Sequence, residues 1–441
     1  MMYHLQCGAG KADITPPLGT ILFGYAPGRP AQSVGDGLEA VAILLKSDTG
    51  NSLLVTCTIA ILTRKLSAEL CKIAGEACGI APENVTICCT HTHSGPNTHI
   101  PSGWGDVDNE YIENILKPGV REAAKKAADN LVNAQMGVGE VDSDIGMNRR
   151  QLKENGEITL GQNPWGIRDP KLTVVSFKGE DGQIVANLIH YGCHGTASGN
   201  NPEITRDWAG VMTDMLEAET GAITGFYNGY EGDQGPNLPN GKTTGNYKMA
   251  LQLGARAGND AVRAWRSIRE YRDVPVKVLH ETIRIPYEPL STREEAERKL
   301  EELGSLEQIY AKQQFAKINE YNHWHSVLAI HDGKAPTQTH FTYDQNITTI
   351  GPVAIVPSPF EAFAEIGLRI RAHSPYPYTL NLSNCHGGYA YLPTKNDIPS
   401  GGYELWYFLY AIYTTYHLPK NTDDHWVMQN LALLRKGQSR E

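Results

Sequence analysis

The 441-residue sequence lacks several features, and each absence argues against a class of protein. It has no run of about 18 consecutive apolar residues, so no membrane span is predicted. It has no cluster of Lys and Arg and carries a formal net charge of -10, so nucleic acid is not an expected partner. Its eight cysteines include no Cys-x-x-Cys pair, which is typical of buried, reduced thiols. No secretory leader is visible, and we therefore predict a cytoplasmic protein.

The composition is that of a soluble globular protein large enough to be an enzyme. Hydrophobic residues make up 41% and charged residues 20% of the chain, which permits a large buried core and argues against disorder. The length allows two or three domains or one large unit. Because the sequence contains no repeat, low-complexity tract or convincing linker, we predict a single domain over residues 1–441 that acts on a small-molecule substrate, with the oligomeric state left open.

Short β-branched runs alternate with segments of helical period through the first two thirds of the chain, which predicts the α/β class. Strands are predicted at 41–45, 52–57, 173–177, 184–189 and 353–356. Helices are predicted at 66–79, 108–134, 206–219 and 246–269. Residues 291–330 are highly charged and open with a capping residue and an acidic first turn, which predicts a helical insert. Residues 402–437 are predicted to be helical again.

The most informative segment is the His-x-His pair, His91 and His93, which follows a short apolar run at 84–89. Residues two apart in a strand project to the same face, so both imidazoles are expected to point into one cleft. Imidazole is the commonest protein ligand for zinc, and catalytic zinc takes further ligands from distant segments. The alternative is a pair of core or surface histidines that bond to the backbone.

Other candidate ligands lie at strand ends or on glycine-rich turns. They are His194, the carboxylates of the loop at 226–237, Glu361 in the predicted first turn of a helix, Tyr389, Tyr391 and Tyr403. Each also has a structural interpretation, because the helix dipole favours a carboxylate in a first turn and tyrosines are commonly half-buried. His323 and His325 lie in the predicted helical insert and are interpreted as structural.

Taken in order, these segments resemble the catalytic domain of the neutral/alkaline (non-lysosomal) ceramidase family. The resemblance covers nearly the whole chain and implies an α/β fold of mixed β-sheets flanked by helices. It rests on residues 8–16, the Thr-His-Thr-His-Ser-Gly-Pro block at 90–96, Asn148-Arg149, the strand ending at His194, the loop at 232–237 and the final tyrosine-rich stretch.

The resemblance implies a site that binds zinc through four residues. These are His91, His194, Glu361 and Tyr391. The glycine that follows on the same helix favours Glu361 over Glu365, and a second family tyrosine downstream, at Tyr403, leaves Tyr391 rather than Tyr389 as the ligand. Bound zinc lowers the pKa of its water ligand to about 7 and polarises the carbonyl under attack.

Three further residues are implied by the resemblance to contact the substrate carbonyl or its oxyanion. They are His93, Arg149 and Tyr403. One well-placed donor of this kind contributes roughly 3 kcal/mol to transition-state stabilisation.

The loop carrying Asp233 and Asn237 departs from the family pattern. Ceramidases have a serine regarded as catalytic within Gly-Asp-x-Ser-Pro-Asn, whereas this chain has Gly235 at that position. With no hydroxyl there, we expect the metal-bound water to attack directly. The family's C-terminal β-sandwich domain also has no counterpart after the tyrosine-rich stretch, and we therefore expect a soluble substrate.

These observations predict a zinc-dependent hydrolase that cleaves an amide, or less readily an ester, bond of a small soluble compound. One alternative is a carbohydrate-acting enzyme, because Trp104, Trp165 and Trp208 lie near the site segments and aromatic rings stack on sugars. Another is a homologue that binds zinc or a ligand without catalysis, which the missing serine suggests.

Overall fold

The computed structural model describes residues 2–25, 27–99, 106–312, 314, 316–410 and 415–438. Within these residues the strands, in chain order, are β1 (Gln6–Asp13), β2 (Ser33–Val34), β3 (Glu39–Ser47), β4 (Gly50–Cys57), β5 (Val85–Cys89), β6 (Val132–Asp142), β7 (Gly146–Asn148), β8 (Arg150–Leu152), β9 (Ile158–Leu160), β10 (Lys171–Gly179), β11 (Ile184–Tyr191), β12 (Glu203–Ile204), β13 (Ile223–Asn228), β14 (Gln234–Pro236), β15 (Val276–Pro286), β16 (His340–Ile350), β17 (Val353–Pro357), β18 (Phe360–Ala362), β19 (Tyr378–Leu382) and β20 (Ala390–Leu392).

The α-helices alternate with these strands and also form the segment between β15 and β16. They are α1 (Arg64–Cys78), α2 (Asn109–Tyr111), α3 (Lys117–Asp129), α4 (Asp207–Thr220), α5 (Tyr247–Arg266), α6 (Arg293–Leu303), α7 (Leu306–Ala311), α8 (Ala316–His331), α9 (Ala364–His373), α10 (Tyr403–Leu409) and α11 (Thr422–Gln438). A π turn at Ile112–Leu116 joins α2 to α3, and short 3-10 turns occupy Pro82–Asn84 and Ile398–Ser400.

Eight strands form the larger sheet, in the order β13-β11-β10-β6-β1-β3-β4-β5. Neighbouring strands are antiparallel except for the parallel pairs β4–β5 and β11–β13. The two edges of this sheet approach each other. The Thr56 hydroxyl donates to the Phe226 carbonyl at 2.8 Å, and the Asn228 amide donates to the Thr90 carbonyl at 3.1 Å. The carboxyl ends of β5 and β13 therefore meet at one place.

The smaller sheet, in the order β15-β16-β17-β19, packs face to face on the first, with helices outside both. Strand alternation sets this layering. In β3, Leu44 packs toward α1 and α3, while Ile43 belongs to the core between the sheets. In β17, Ile355 faces the core between the sheets and Val356 packs among residues of α9 and α11. Full burial of each such side chain contributes about 2 kcal/mol.

The prediction of an α/β class is confirmed, and each predicted strand lies within one of β3, β4, β10, β11 and β17. The helix predicted over 108–134 extends too far, because α3 ends at Asp129 and the chain turns at Asn130 into β6. Residues 291–330 form three helices, α6 to α8. The segment 402–437 forms two helices rather than one continuous helix. The single-domain assignment stays a prediction.

Two expectations from the sequence concern the state of the cysteines and the membrane span. All eight cysteines lie in the described part of the chain, and each is buried and free. Among the described helices, none combines the length and the apolar character that crossing a bilayer requires.

Candidate metal and catalytic site

His91 and His93 lie in the loop after β5, and their rings converge. The Nε2 atoms of the two rings are 3.3 Å apart. The expectation that strand alternation sets their common direction is wrong, because β5 ends at Cys89 and His91 has a left-handed backbone with a φ of 66°. A non-glycine residue adopts this conformation at a cost of about 1 kcal/mol or more, and it persists where surrounding contacts enforce it.

The segment between β4 and α1 supplies those contacts to His91. Its backbone N–H donates to the Ile59 carbonyl at 3.1 Å, and its Nδ1 lies 2.8 Å from the Ala60 carbonyl. The Thr63 hydroxyl then caps α1 by accepting from the Leu66 N–H at 2.9 Å. The ring of His91 is therefore fixed with Nε2 directed away from this segment.

His194 lies three residues beyond β11 and is fully buried. Its Nδ1 is 2.8 Å from the Glu231 carbonyl and 3.1 Å from the Gln234 carbonyl. Its Nε2 is 3.2 Å from Glu361 Oε2 and 3.3 Å from the Tyr391 hydroxyl. The structure therefore brings His194, Glu361 and Tyr391 together, as the sequence resemblance implies.

Glu361 lies in the short strand β18, and the prediction that it occupies the first turn of a helix is wrong, because α9 begins at Ala364. The chain keeps an extended backbone through Ala362 since β18 pairs in parallel with β20. Glu361 Oε2 is 3.5 Å from His91 Nε2. Its carboxylate thus lies between the imidazoles of His91 and His194, whereas Glu365 is in the first turn of α9.

The donor set fits a divalent cation. The ligand atoms of His91, His93 and His194 all lie within 4.8 Å of one another. Each Nδ1 is next to a backbone carbonyl, at 3.0 Å for the His93 Nδ1 and Gly24 pair, so Nδ1 carries the proton and Nε2 presents a lone pair. Glu361 Oε2 is buried and accepts no hydrogen bond. Imidazole lone pairs that lie this close to one another and to a buried carboxylate oxygen require a cation or a proton.

The pKa values of His93 and His194 are lowered in this site, whereas that of His91 is raised. Burial lowers the pKa of His194 to about 3, and the Arg149 charge acts in the same direction. Burial also holds the pKa of His93 well below its ordinary value, and the neighbouring His91 and His194 add to this. For His91, burial opposes ionisation, but the Glu361 carboxylate overcomes it and raises the pKa to about 9. At neutral pH His91 Nε2 therefore carries a second proton, opposite Glu361. A bound cation would take the place of this proton.

Arg149 and Tyr403 lie beside the Tyr391 phenol. Arg149 Nη2 donates to the Tyr391 hydroxyl at 2.9 Å, and its Nε donates to Glu404 at 3.0 Å. The Arg149 guanidinium also lies 5.8 Å from the centre of the Tyr403 ring. Arg150 shares Glu404 as a partner at 2.8 Å. The guanidinium of Arg149 is thus held rigidly next to the candidate ligands.

The predicted loop residues Asp233, Gly235 and Asn237 contact neighbouring segments of the chain. Asp233 accepts from the Asn148 amide at 3.1 Å and from the Ala364 N–H at 2.8 Å. Gly235 pairs with β7, and a Cβ placed there would lie 2.7 Å from the Thr243 side chain. Asn237 donates to the Asp144 carbonyl at 2.9 Å.

Glu231 is a site residue that the sequence reasoning did not single out. Its carboxylate forms a second candidate cluster with His91 and Glu361, in which all ligand atoms lie within 4.8 Å of one another. The sequence indicates the loop at 226–237 as a source of carboxylates. Glu231 follows β13 by three residues, just as His194 follows β11, and this equal spacing is the sequence pattern that could have identified Glu231.

Of the tryptophans considered for sugar stacking, the two that the structure describes, Trp165 and Trp208, do not form a common platform. Trp208 is fully buried and donates its Nε1 to the His194 carbonyl at 2.9 Å. Trp165 is 93% exposed. Trp104 lies outside the described residues. Trp208 therefore supports His194 and has no face free for a substrate.

Comparisons with known proteins agree with this fold and identify a family. The model of the family described as neutral/alkaline non-lysosomal ceramidase, N-terminal, matches residues 5–252. The structure of neutral ceramidase from Pseudomonas aeruginosa is similar to this chain, with a TM-score of 0.73 and 18% identity over 98% of this chain and 75% of the other. A structure described as ceramidase complexed with C2 has a TM-score of 0.72 and 15% identity over 99% and 76% of the two chains. No curated protein matches the chain.

Proposed function

The chain belongs to the neutral/alkaline non-lysosomal ceramidase family, and we propose that it is a zinc-dependent hydrolase that cleaves an amide bond, or an ester bond, of a small soluble substrate. One observation carries the proposal. The Nε2 atoms of His91 and His194 both face Glu361 Oε2, at 3.5 Å and 3.2 Å, with each Nδ1 bonded to a backbone carbonyl. This is the arrangement of neutral imidazoles and a carboxylate that divalent metal sites use.

His91, His194, Glu361 and Tyr391 would hold the ion, which supplies Lewis acidity toward the carbonyl and lowers the pKa of a bound water to about 7. His93 would handle the proton. Its Nδ1 donates to the Gly24 carbonyl at 3.0 Å, so its Nε2 can accept a proton from the attacking water and return it to the leaving group. Arg149 would orient the Tyr391 phenol and stabilise negative charge on the substrate oxygen.

Water is the proposed nucleophile because position 235 offers no hydroxyl. A cavity of about 50 Å³ beside Glu361 is lined, among the described residues, by Ile61, His99, Glu361, Asn384, Tyr389, Ala390, Tyr391 and Tyr407. Most of the surface that this cavity exposes is apolar. Its small volume favours a compact acyl or amine group over a long lipid chain and supports a small soluble substrate.

The test combines metal analysis with a substrate panel. Purified protein is expected to contain one divalent metal ion per chain by elemental analysis and to hydrolyse short N-acyl amides or esters faster than glycosides or ceramide. His91→Ala is expected to lose both metal and activity, whereas His325→Ala, an exposed histidine of α8, retains both. Protein without stoichiometric metal, together with unchanged hydrolysis by His91→Ala, would refute the proposal.

A further inference from the structure

Glu231 is a buried carboxylate that the proposed reaction leaves without a role. Its side chain is 0% exposed, three residues beyond the end of β13. Its Oε1 accepts a hydrogen bond from the Asn384 amide at 2.7 Å. Its Oε2 has no hydrogen bond of good geometry, although the Ser383 hydroxyl lies close enough to the carboxylate to favour its ionised form. A buried carboxylate oxygen without a good hydrogen bond is costly, so it marks a place where a ligand or a proton is expected.

The Glu231 carboxylate lies beside the candidate metal site. The ligand atoms of His91, Glu231 and Glu361 all lie within 4.8 Å of one another, and Glu361 Oε2 also lacks a hydrogen bond. Across the described chain, neither carboxylate forms an ion pair with a Lys or Arg. Two carboxylates that face each other in a buried space repel unless a cation or a shared proton lies between them.

We propose that Glu231 is an additional metal ligand, which binds the cation together with His91, His194 and Glu361. This inference rests on the proposed metal-dependent function. Two carboxylates balance the charge of a divalent ion, and with neutral imidazoles they form a donor set of nitrogen and hard oxygen. Such a set suits Zn²⁺, Mn²⁺, Fe²⁺ or Co²⁺ and disfavours soft Cu⁺.

Asn384 positions Glu231 for this role. Asn384 has a left-handed backbone with a φ of 52°, and its carbonyl accepts from the Cys89 N–H at 3.3 Å at the end of β5. Its side-chain amide donates to Glu231 Oε1 and leaves Oε2 without this bond, while the carboxylate lies beside His91 and Glu361. One carboxylate oxygen is thereby fixed before any ion binds, which is how outer residues orient metal ligands.

The test is metal titration of the full-length, chelator-stripped protein with Zn²⁺ and with Mn²⁺. Glu231→Gln keeps an oxygen for Asn384 and replaces the other with a neutral amide. We expect its affinity for Zn²⁺, measured by competition with a chromophoric chelator, to fall at least about 10-fold to 100-fold. The rise in Tm that Zn²⁺ produces is expected to shrink in parallel. Glu320→Gln, a buried glutamate bonded to Trp324 in α8, is the matched control and is expected to bind as wild type.

The outcomes separate this inference from the proposed function. Wild-type protein that binds one ion, with Glu231→Gln equal to it in affinity and in metal-induced Tm rise, overturns the role of Glu231 and leaves the metal-dependent function standing. Wild-type protein that binds no ion overturns both. If Glu231→Gln does not fold, Asn384→Ala is measured instead. A several-fold loss of metal affinity in that variant supports the inference, and an unchanged affinity overturns it.

Discussion

Glu361 and Tyr391 are register partners in the parallel pair formed by β18 and β20. Because partners in register project to the same side of a sheet, the carboxylate and the phenol leave their strands together. Glu361 Oε2 and the Tyr391 hydroxyl reach the same atom, His194 Nε2, at 3.2 Å and 3.3 Å. Two strands of three residues each therefore set half of the candidate metal site.

Tyr391→Phe is expected to weaken metal binding and hydrolysis about 10-fold to 100-fold, since it removes the hydroxyl beside His194 and leaves the Arg149 donor unpaired. Tyr389→Phe is the matched control for metal binding, because the Tyr389 hydroxyl lies 3.1 Å from that of Tyr287 instead. Metal content of both variants is measured by elemental analysis, and kcat of Tyr391→Phe is measured against wild type on a short N-acyl amide. Equal metal content in the two variants would contradict Tyr391 as a ligand.

Arg149→Lys is expected to reduce kcat about 100-fold, with a smaller change in KM. A lysine keeps the charge opposite Glu404 but lacks the fork that reaches both Glu404 and Tyr391. Arg150→Lys is the control, because Arg150 shares Glu404 but donates to the Gly401 carbonyl rather than to Tyr391. Tm is measured for both variants. A similar loss of kcat in both would assign Arg149 a structural role only.

Gly235→Ser is expected to destabilise the protein by about 1 to 3 kcal/mol without creating a serine nucleophile. A Cβ at this position lies 2.7 Å from both Cβ and Cγ2 of Thr243, so the loop must shift to accept it. The double variant Gly235→Ser with Thr243→Gly removes both contacting atoms and is expected to recover part of the loss relative to Thr243→Gly alone. Denaturant unfolding measures the stability, and a burst of product in rapid-mixing kinetics would show that the serine had become a nucleophile after all.

Acidification is expected to destabilise the protein through His386, which lines a groove of about 570 Å³ whose lining includes none of the candidate metal ligands. Burial lowers the pKa of His386 to about 4 in the folded protein, below its ordinary value of 6.5. The unfolded chain therefore binds the proton first, so stability is lost as pH falls from about 6.5 to about 4. Because the ring reaches the groove, we expect a loss of about 1 to 2 kcal/mol rather than the full shift.

The His386→Gln variant tests this pH dependence, because Gln preserves a donor to Asn346, whose oxygen lies 2.9 Å from His386 Nε2. The free energy of unfolding, measured by urea at pH 7 and at pH 4.5, is expected to fall less in this variant than in wild type. His340→Gln, at an exposed position in β16, is the control. A wild-type slope in His386→Gln would show that other groups cause the acid sensitivity.

Much of the sheet structure could be predicted from the sequence because buried strands such as β4 and β17 are continuous runs of β-branched and apolar residues. Candidate site residues were also accessible where a ligand follows such a run, as His194 follows β11. The order of motifs supplied the rest of the set, since residues as distant as His91 and Glu361 have no local signal that connects them.

Three features were beyond local sequence patterns. β18 is too short to show periodicity, so Glu361 looked like the start of the helix that follows it. The left-handed backbone of His91 depends on Ile59 and Ala60, which come from another strand's end. Glu231 follows a strand as His194 does, but only the meeting of the two sheet edges brings its carboxylate opposite Glu361.

The contact between the edges of the eight-stranded sheet has a consequence for how the protein matures. The candidate ligands come from the eight-stranded sheet and from the separate two-stranded pair of β18 and β20. His91 follows β5, and Tyr391 lies in the last fifth of the chain, so these ligands can meet only after most of the chain has been synthesised. An ion that binds this set recognises only the completed chain. Metal binding would then stabilise only the folded protein, and the metal-loaded fraction in a cell would report the fraction that has folded correctly.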